Sequence, residues 1–209
     1  MTNTKGNFIT FEGGEGAGKT TQIKLLENYL ETKDYTVVIT REPGGTPGAE
    51  DIRNLLKEGD AAKWDGISEA LLLNAARHDH VDKVIKPALN KGQWVLCDRF
   101  SDSSFVYQGI ARGLGIEKLL DLHKWALGNF QPDITFIFDI PPKISRNRQQ
   151  QRNLNANTKD DRFEQLDMDF HQKVYEGYLS LVRKFPERCR RIDATKSITK
   201  VHKQILESI

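Results

Sequence analysis

Residues 13–20 read Gly13-Gly14-Glu15-Gly16-Ala17-Gly18-Lys19-Thr20, an unbroken match to GxxxxGK[ST]. That spacing suits one kind of chemistry. Small residues let consecutive backbone N–H groups curl around phosphate oxygens, while the following helix adds the positive end of its dipole. Lys19 would set a point charge on the outer phosphates, and the Thr20 hydroxyl would ligate Mg2+. The plain alternative is a glycine turn with a solvated lysine. The context favours the cradle, because the apolar burst Phe8 to Phe11 precedes it and a helical pattern follows. The motif predicts a nucleoside triphosphate site drawing on all eight residues.

A phosphate cradle alone does not name the group that receives a phosphoryl. An NKxD-like guanine reader is absent, and a motor would need more chain or a polymerising partner. The discriminating feature must be a second site. Arg41-Glu42-Pro43-Gly44-Gly45-Thr46 leads into a helix with Arg53, and Ala75-Ala76-Arg77 lies on a later helix. Asp98-Arg99-Phe100 closes another apolar run, followed by Ser103-Ser104 and Tyr107-Gln108-Gly109. Open α/β sheets bind ligands beyond the carboxyl ends of their strands, so Arg53, Arg77 and Arg99 should share one rim facing the cradle. Three guanidiniums with hydroxyls and an amide suit a monophosphate carrying a base to be read. Asp98 would either hold Mg2+ through water or anchor Arg99. His78 and His80 sit two apart on a helix, cannot share a metal, and are expected on a solvated or salt-bridged face.

The elements that must position these groups follow from periodicity. Strands are expected at Phe8 to Phe11, Tyr35 to Thr40, Trp94 to Cys97, Asp133 to Ile140 and Cys189 to Ile192. Helices are expected from Ile23 to Leu30, Ala49 to Lys57, Ser68 to Leu89, Leu119 to Leu127, Phe170 to Val182, and from the last strand to Ile209. Strands alternating with helices imply parallel pairing, since a parallel neighbour needs a crossover. The fold class is therefore α/β, layered, with helices on both faces of the sheet.

The composition bounds partners. Hydrophobic residues are 38% and charged residues 29%, an ordinary globular mix. A net charge of +2 leaves no footprint for wrapping nucleic acid. No apolar run approaches a membrane span, and Met1 to Gly6 carries no apolar signal core. Cys97 and Cys189, without CxxC spacing, read as reduced core thiols of a cytoplasmic protein.

Several unlinked motifs stand in one order: FEGGEGAGKTTQ, TREPGGT, AAR, DRF with SxxxYQG, and a late IDAT. Together they resemble the bacterial thymidylate kinase family across nearly the whole chain. The resemblance implies phosphorylation of dTMP to dTDP with ATP and Mg2+, on the path to dTTP. It also implies a homodimer and a three-layer P-loop fold with a five-stranded parallel sheet and a mobile lid. By that resemblance residues 1–209 form one domain, with the lid at about 142–164. Arg53 and Arg99 match the residues on the dTMP phosphate. Arg77 and Gln108 match the readers of the thymine edge, with Ser103 in the same motif. Glu15 matches an acidic residue turned toward the sugar hydroxyl, and Ile192-Asp193-Ala194 matches the border of adenine. Leu73 stands where the family commonly has a Phe stacking on thymine; Phe105 is a possible substitute. The alternatives left are a UMP or CMP kinase, and a nucleotide-gated ATPase or GTPase module.

Some thymidylate kinases carry a basic residue one place after the acidic residue of the cradle; here that place is Gly16. The transition-state cation must then come from elsewhere. After Pro141-Pro142 stand Arg146, Arg148 and Arg152, within a polar stretch, Arg146 to Asp161, that reads as a solvated loop or a lid. The resemblance assigns the phosphate clamp to Arg152, with Arg148 the substitute if the register slips.

Overall fold

The computed structural model describes residues 6–60, 62–156 and 166–209, with side chains of 152–156 left aside. Five parallel strands form one sheet: β1 (Phe8–Glu12), β2 (Val37–Arg41), β3 (Trp94–Asp98), β4 (Ile134–Asp139) and β5 (Cys189–Asp193). Their order is β2-β3-β1-β4-β5. All five residues of β1 are buried, as a central parallel strand covered on both faces requires. Ile9 is opposite Leu96 on one side and Ile134 on the other, which fixes the register at the centre.

The chain leaves β1 toward β3 and β2, then returns to build β4 and β5 on the other side. The sheet therefore reverses its direction of growth at β1, and the crevice beyond that strand's carboxyl end is where ligands bind in such sheets. Helix α1 (Lys19–Glu31) begins there, directly from the glycine loop. Gly18 at its start has φ +94 and offers no side-chain cap, so no side chain competes for the first-turn N–H groups. Helix α2 (Pro47–Lys57) starts two residues earlier than its apolar period suggests, because Thr46 caps it by accepting from the Ala49 N–H.

Helix α3 (Gly66–His80) runs through a π-turn (Val81–Ile85) into α4 (Lys86–Asn90). The sequence reads there as one continuous helix. The widened turn precedes Pro87, which has no N–H for an ordinary ladder. A second π-segment (Phe105–Ala111) follows the short α5 (Ser101–Ser104). Helix α6 (Ile116–Leu127) is bounded by Gly115 and Gly128, both at positive φ.

Helix α7 (Pro142–Ala156) corrects the expectation of a solvated loop from Arg146 onward. Gln and Arg are good helix formers, and lack of an apolar stripe does not prevent a helix whose small polar residues pack against a loop. Ser145 and Gln149 are buried against the glycine loop. The rest of the expected lid, residues 157–164, lies outside the described residues.

Helix α8 (Met168–Lys184) and α9 (Ile198–Leu206) complete the layers. One core cluster joins α1 and α9 to one face of the sheet through Leu26, Leu30, Val201 and Ile205. The opposite face carries two clusters, one around Val106, Ile137 and Leu181, the other around Phe8, Val95 and Phe100. Cys97 and Cys189 are buried and unpaired by disulfide, as expected of core thiols. Among the described residues no helix is long and apolar enough to cross a membrane.

Candidate active site

The glycine loop forms because three of its residues occupy backbone space that side chains avoid. Gly13, Gly16 and Gly18 have φ of +142, +72 and +94. A Cβ at Gly16 would overlap the Ser145 carbonyl of α7, so the loop and that helix touch backbone to backbone. Lys19 is only 6% exposed. Its Nζ donates to the carbonyls of Gly13 (3.4 Å) and Gly14 (3.2 Å) and lies 3.8 Å from Asp98 Oδ1. Thr20 Oγ1 donates to Asp98 Oδ2 at 3.3 Å.

These contacts test whether Mg2+ fits. A hydroxyl and a carboxylate converge beside the loop, and no group of three or more His, Cys, Asp or Glu side chains gathers among the described residues. Mg2+ bound through one or two protein oxygens, nucleotide phosphates and water needs no more than this. The donor set fits. Asp98 faces Lys19 and Thr20; the partners of Arg99 are other residues.

A cavity of about 510 Å³ opens beside the loop at the ends of β2 and β3. Arg53, Arg77 and Arg99 all line it, as do Glu15, Leu73, Ser103 and Gln108. The expected convergence of three arginines opposite the cradle is therefore met, although each is held differently. Arg53 donates to the Pro43 carbonyl at 2.8 Å. Arg77 is almost wholly buried: its Nε donates to Glu42 Oε2 at 2.6 Å, and an Nη to the Phe100 carbonyl and Ser104 Oγ. Arg99 donates to Glu15 Oε1 at 2.8 Å, to Tyr178 OH at 3.0 Å and to Ser103 Oγ at 3.2 Å. It lies 5.4 Å over the Tyr107 ring. Burial opposes its charge, but Tyr107, Tyr178, Glu15 and Glu12 hold its pKa well above the usual value.

Gln108 turns its Nε2 to Glu69 Oε2 (2.9 Å), leaving Oε1 without a partner among the described protein atoms. Phe105, the suggested substitute for an aromatic at 73, packs against His123 in the core instead. The rings on the cavity wall belong to Phe100 and Tyr107. Arg148 reaches the cavity too, while an Nη donates to the Ala194 carbonyl at 3.0 Å. The Arg152 side chain lies outside the described residues.

One sequence reading changes. His80 is not on a solvated face: it is buried, with Nδ1 3.1 Å from Glu42 Oε1 and Nε2 2.6 Å from Thr40 Oγ1. It locks β2 to α3. Asp79, one residue away, does make the expected surface pairs, with Lys83 and Thr46.

The family model for thymidylate kinase matches residues 11–205, a span that includes the cradle, all three arginines and β5. The chain belongs to the thymidylate kinase family. The thymidylate kinase of Nitrosospira multiformis is 45% identical over 205 residues, covering 98% of this chain and 97% of that one. That of Shouchella clausii is 46% identical over 98% of this chain and 95% of its own. The crystal structure of thymidylate kinase from Ehrlichia chaffeensis superposes with a TM-score of 0.78 at 35% identity, covering 97% and 98% of the two chains. As a member of this family the chain is a kinase with ATP as co-substrate.

Of the groups that sequence reasoning missed in this family member, Glu42 and Ser104 line the cavity and Glu12, Glu69 and Tyr178 lie outside its lining. Glu12, the last residue of β1, is fully buried. It accepts from the N–H groups of Phe100 (2.7 Å) and Ser103 (3.3 Å), and its Oε2 contacts Ser103 Oγ (2.6 Å) and Tyr178 OH (3.0 Å). Burial, then the neighbouring Asp102, pushes its pKa up to about 7. A carboxylate ending an apolar strand was the available signal for Glu12. Glu42, Ser104 and Glu69 had only the signal of lying in or near the quoted motifs. Tyr178 had none, since its position fits the apolar period of α8.

Proposed function

We propose that this kinase transfers the γ-phosphoryl of ATP to a phosphate oxygen of dTMP, giving dTDP and ADP. The observation that carries the reading is the single cavity bounded by the glycine loop and by Arg53, Arg77 and Arg99. An acceptor phosphate between those arginines would face a donor phosphate in the loop, the in-line arrangement that phosphoryl transfer requires.

In this reading residues 13–20 cradle the ATP phosphates, and Lys19 balances charge on the migrating group. Thr20 and Asp98 hold Mg2+, which shields the phosphate oxygens when bound. Arg53 and Arg99 grip the dTMP phosphate with charge-assisted bonds. Arg77, Gln108, Ser103 and Leu73 address the thymine side, and Glu15 the sugar. Ile192, Asp193 and Ala194 border the adenine. Arg152, or Arg148 in its stead, clamps the transferring phosphate from the lid at about 142–164. The chain acts as one domain in the cytoplasm and as a homodimer. Exposed Ile67 and Leu71 on α3 and Trp125 on α6 support a covered face there.

Incubation with ATP-Mg and each nucleoside monophosphate tests the reading. ADP should form rapidly with dTMP and far more slowly with UMP or CMP. Equal ADP formation without any monophosphate would favour an ATPase instead. Alanine at Arg148, Arg152 or both tests the clamp: kcat should fall far more than dTMP affinity measured without ATP. A double variant at wild-type rate removes the lid from the mechanism. Sedimentation equilibrium reads the oligomeric state.

A further inference from the structure

Arg99 sits in a conformation that L-residues avoid. Its φ of +71 lies in the left-handed region, which a non-glycine residue keeps only where its surroundings impose it. The surroundings here are specific. Glu12 takes the N–H groups of Phe100 and Ser103 on one carboxylate oxygen, which pins the backbone just after Arg99. The guanidinium is pinned separately, by an Nη shared between Ser103 Oγ and Tyr178 OH.

Tyr178 is unlike Glu15 and Ser103, the other side chains that accept from the Arg99 guanidinium. It does not line the cavity that holds the arginines, and its side chain is 2% exposed in the core of α8 beside Val174 and Leu181. Packing fixes the ring, so the hydroxyl is a fixed point. That hydroxyl lies 3.0 Å from Arg99 Nη1, 2.9 Å from Ser103 Oγ and 3.0 Å from Glu12 Oε2. An arginine side chain has several rotatable bonds, and a fixed acceptor behind it removes freedom that would otherwise be lost on binding.

We infer that Tyr178 is a positioning residue: its phenol, held in the core of α8, aims the Arg99 guanidinium at the acceptor phosphate. The inference rests on the reading of Arg99 as a ligand of the dTMP phosphate. Tyr178 itself touches no substrate. Removing its hydroxyl leaves Arg99 charged and present but freer to swing, so the loss falls on capture of the monophosphate and not on ATP.

A double-mutant cycle tests this. Tyr178→Phe should raise KM for dTMP by about five- to twentyfold, the scale of a hydrogen bond to a charged group, with KM for ATP within twofold. Arg99→Ala should raise KM for dTMP further, and adding Tyr178→Phe to it should change nothing more. If Arg99→Ala leaves KM for dTMP unchanged, Arg99 is not the phosphate ligand and both readings fall. If Arg99→Ala weakens dTMP but Tyr178→Phe does not, or the two effects multiply in full, only the positioning role is overturned. Where Tyr178→Phe folds poorly, 4-fluorophenylalanine at 178 fills the hydroxyl's space with an atom that accepts only poorly from the Arg99 N–H. The same KM split is then read on that protein.

Discussion

The ammonium of Lys19 stands 3.8 Å from the Asp98 carboxylate while donating to two carbonyls of its own loop. The cation is therefore satisfied within the protein and folded back against the glycine loop. The sequence suggests a lysine projecting into the ligand space; the packing makes it a near-buried one that still lines the cleft. Lys19→Met keeps the length of the stem and removes the charge. Turnover should fall on the order of 10²–10³-fold, as when one donor to a transition-state oxyanion is lost. Circular dichroism should show the fold retained; activity within a few-fold of wild type would contradict the cradle assignment.

Arg77 serves stability as well as the cavity wall. Its Nε pairs with Glu42 where both side chains are nearly inaccessible, 2% and 3% exposed. Removing one member of a buried pair leaves an uncompensated charge, at a cost of about 3–5 kcal/mol. Arg77→Leu should therefore lower unfolding free energy by that order in urea titrations. Combining it with Glu42→Gln should recover part of the loss. A single variant as stable as wild type would mean that Glu42 is held by His80 alone.

Glu12 gives the fold a pH dependence with a definite sign. Its pKa rises from the usual 4.5 to about 7 on folding, so its contribution is whole below pH 4.5 and drains away as pH rises through 7. The groups facing it are Asp102, Arg99, Ser103 and Tyr178. Glu12 Oε2, Ser103 Oγ and Tyr178 OH form a triangle with sides of 2.6, 2.9 and 3.0 Å. Two hydroxyl hydrogens cannot serve three sides, and a proton on Glu12 supplies the third. Relative to Glu12→Gln, the wild type should lose on the order of 3 kcal/mol between pH 4.5 and 8. Denaturation at both pH values checks it; a parallel pH response in the two proteins would show that Glu12 does not titrate there.

Leu73 is half-buried on the cavity wall, where a larger apolar side chain has room. Leu73→Phe would add an aromatic face worth about 0.5–1.5 kcal/mol against a base. KM for dTMP should fall or stay level. A tenfold rise with the fold intact would show that this residue does not face thymine.

Much of this was legible because the chemistry sits on period breaks. The glycine loop follows one apolar strand, and Asp98-Arg99 ends another, so the cradle with Lys19 and Thr20 and the facing rim with Arg99 could both be placed from the sequence. Strand bounds moved by one or two residues because carboxyl-terminal polar residues such as Glu12 and Asp98 still pair in the sheet. What stayed hidden is satisfied by distant partners. His80 read as a surface residue because its acceptor, Glu42, is 38 positions away. Tyr178 fits the apolar period of α8, and its ring is core; only its hydroxyl belongs to the site. The polar run after Pro142 reads as a solvated loop or a lid, and its helix stayed hidden because its contact is a glycine backbone, which leaves no apolar stripe.

The backbone contact between Gly16 and Ser145 sets a choice between two catalytic layouts. The family resemblance offers the extra cation two places: in the cradle, one residue after Glu15, or on the proposed lid. In this protein the first layout is closed by steric exclusion: any side chain at 16 would occupy the space of the α7 carbonyl, on a residue already at positive φ. Moving the cation into the loop would require α7 to withdraw, and α7 is the helix that carries Arg148 and Arg152. The two layouts are thus alternatives linked by one contact. A side chain at 16 therefore cannot be added alone: the same change must also displace α7.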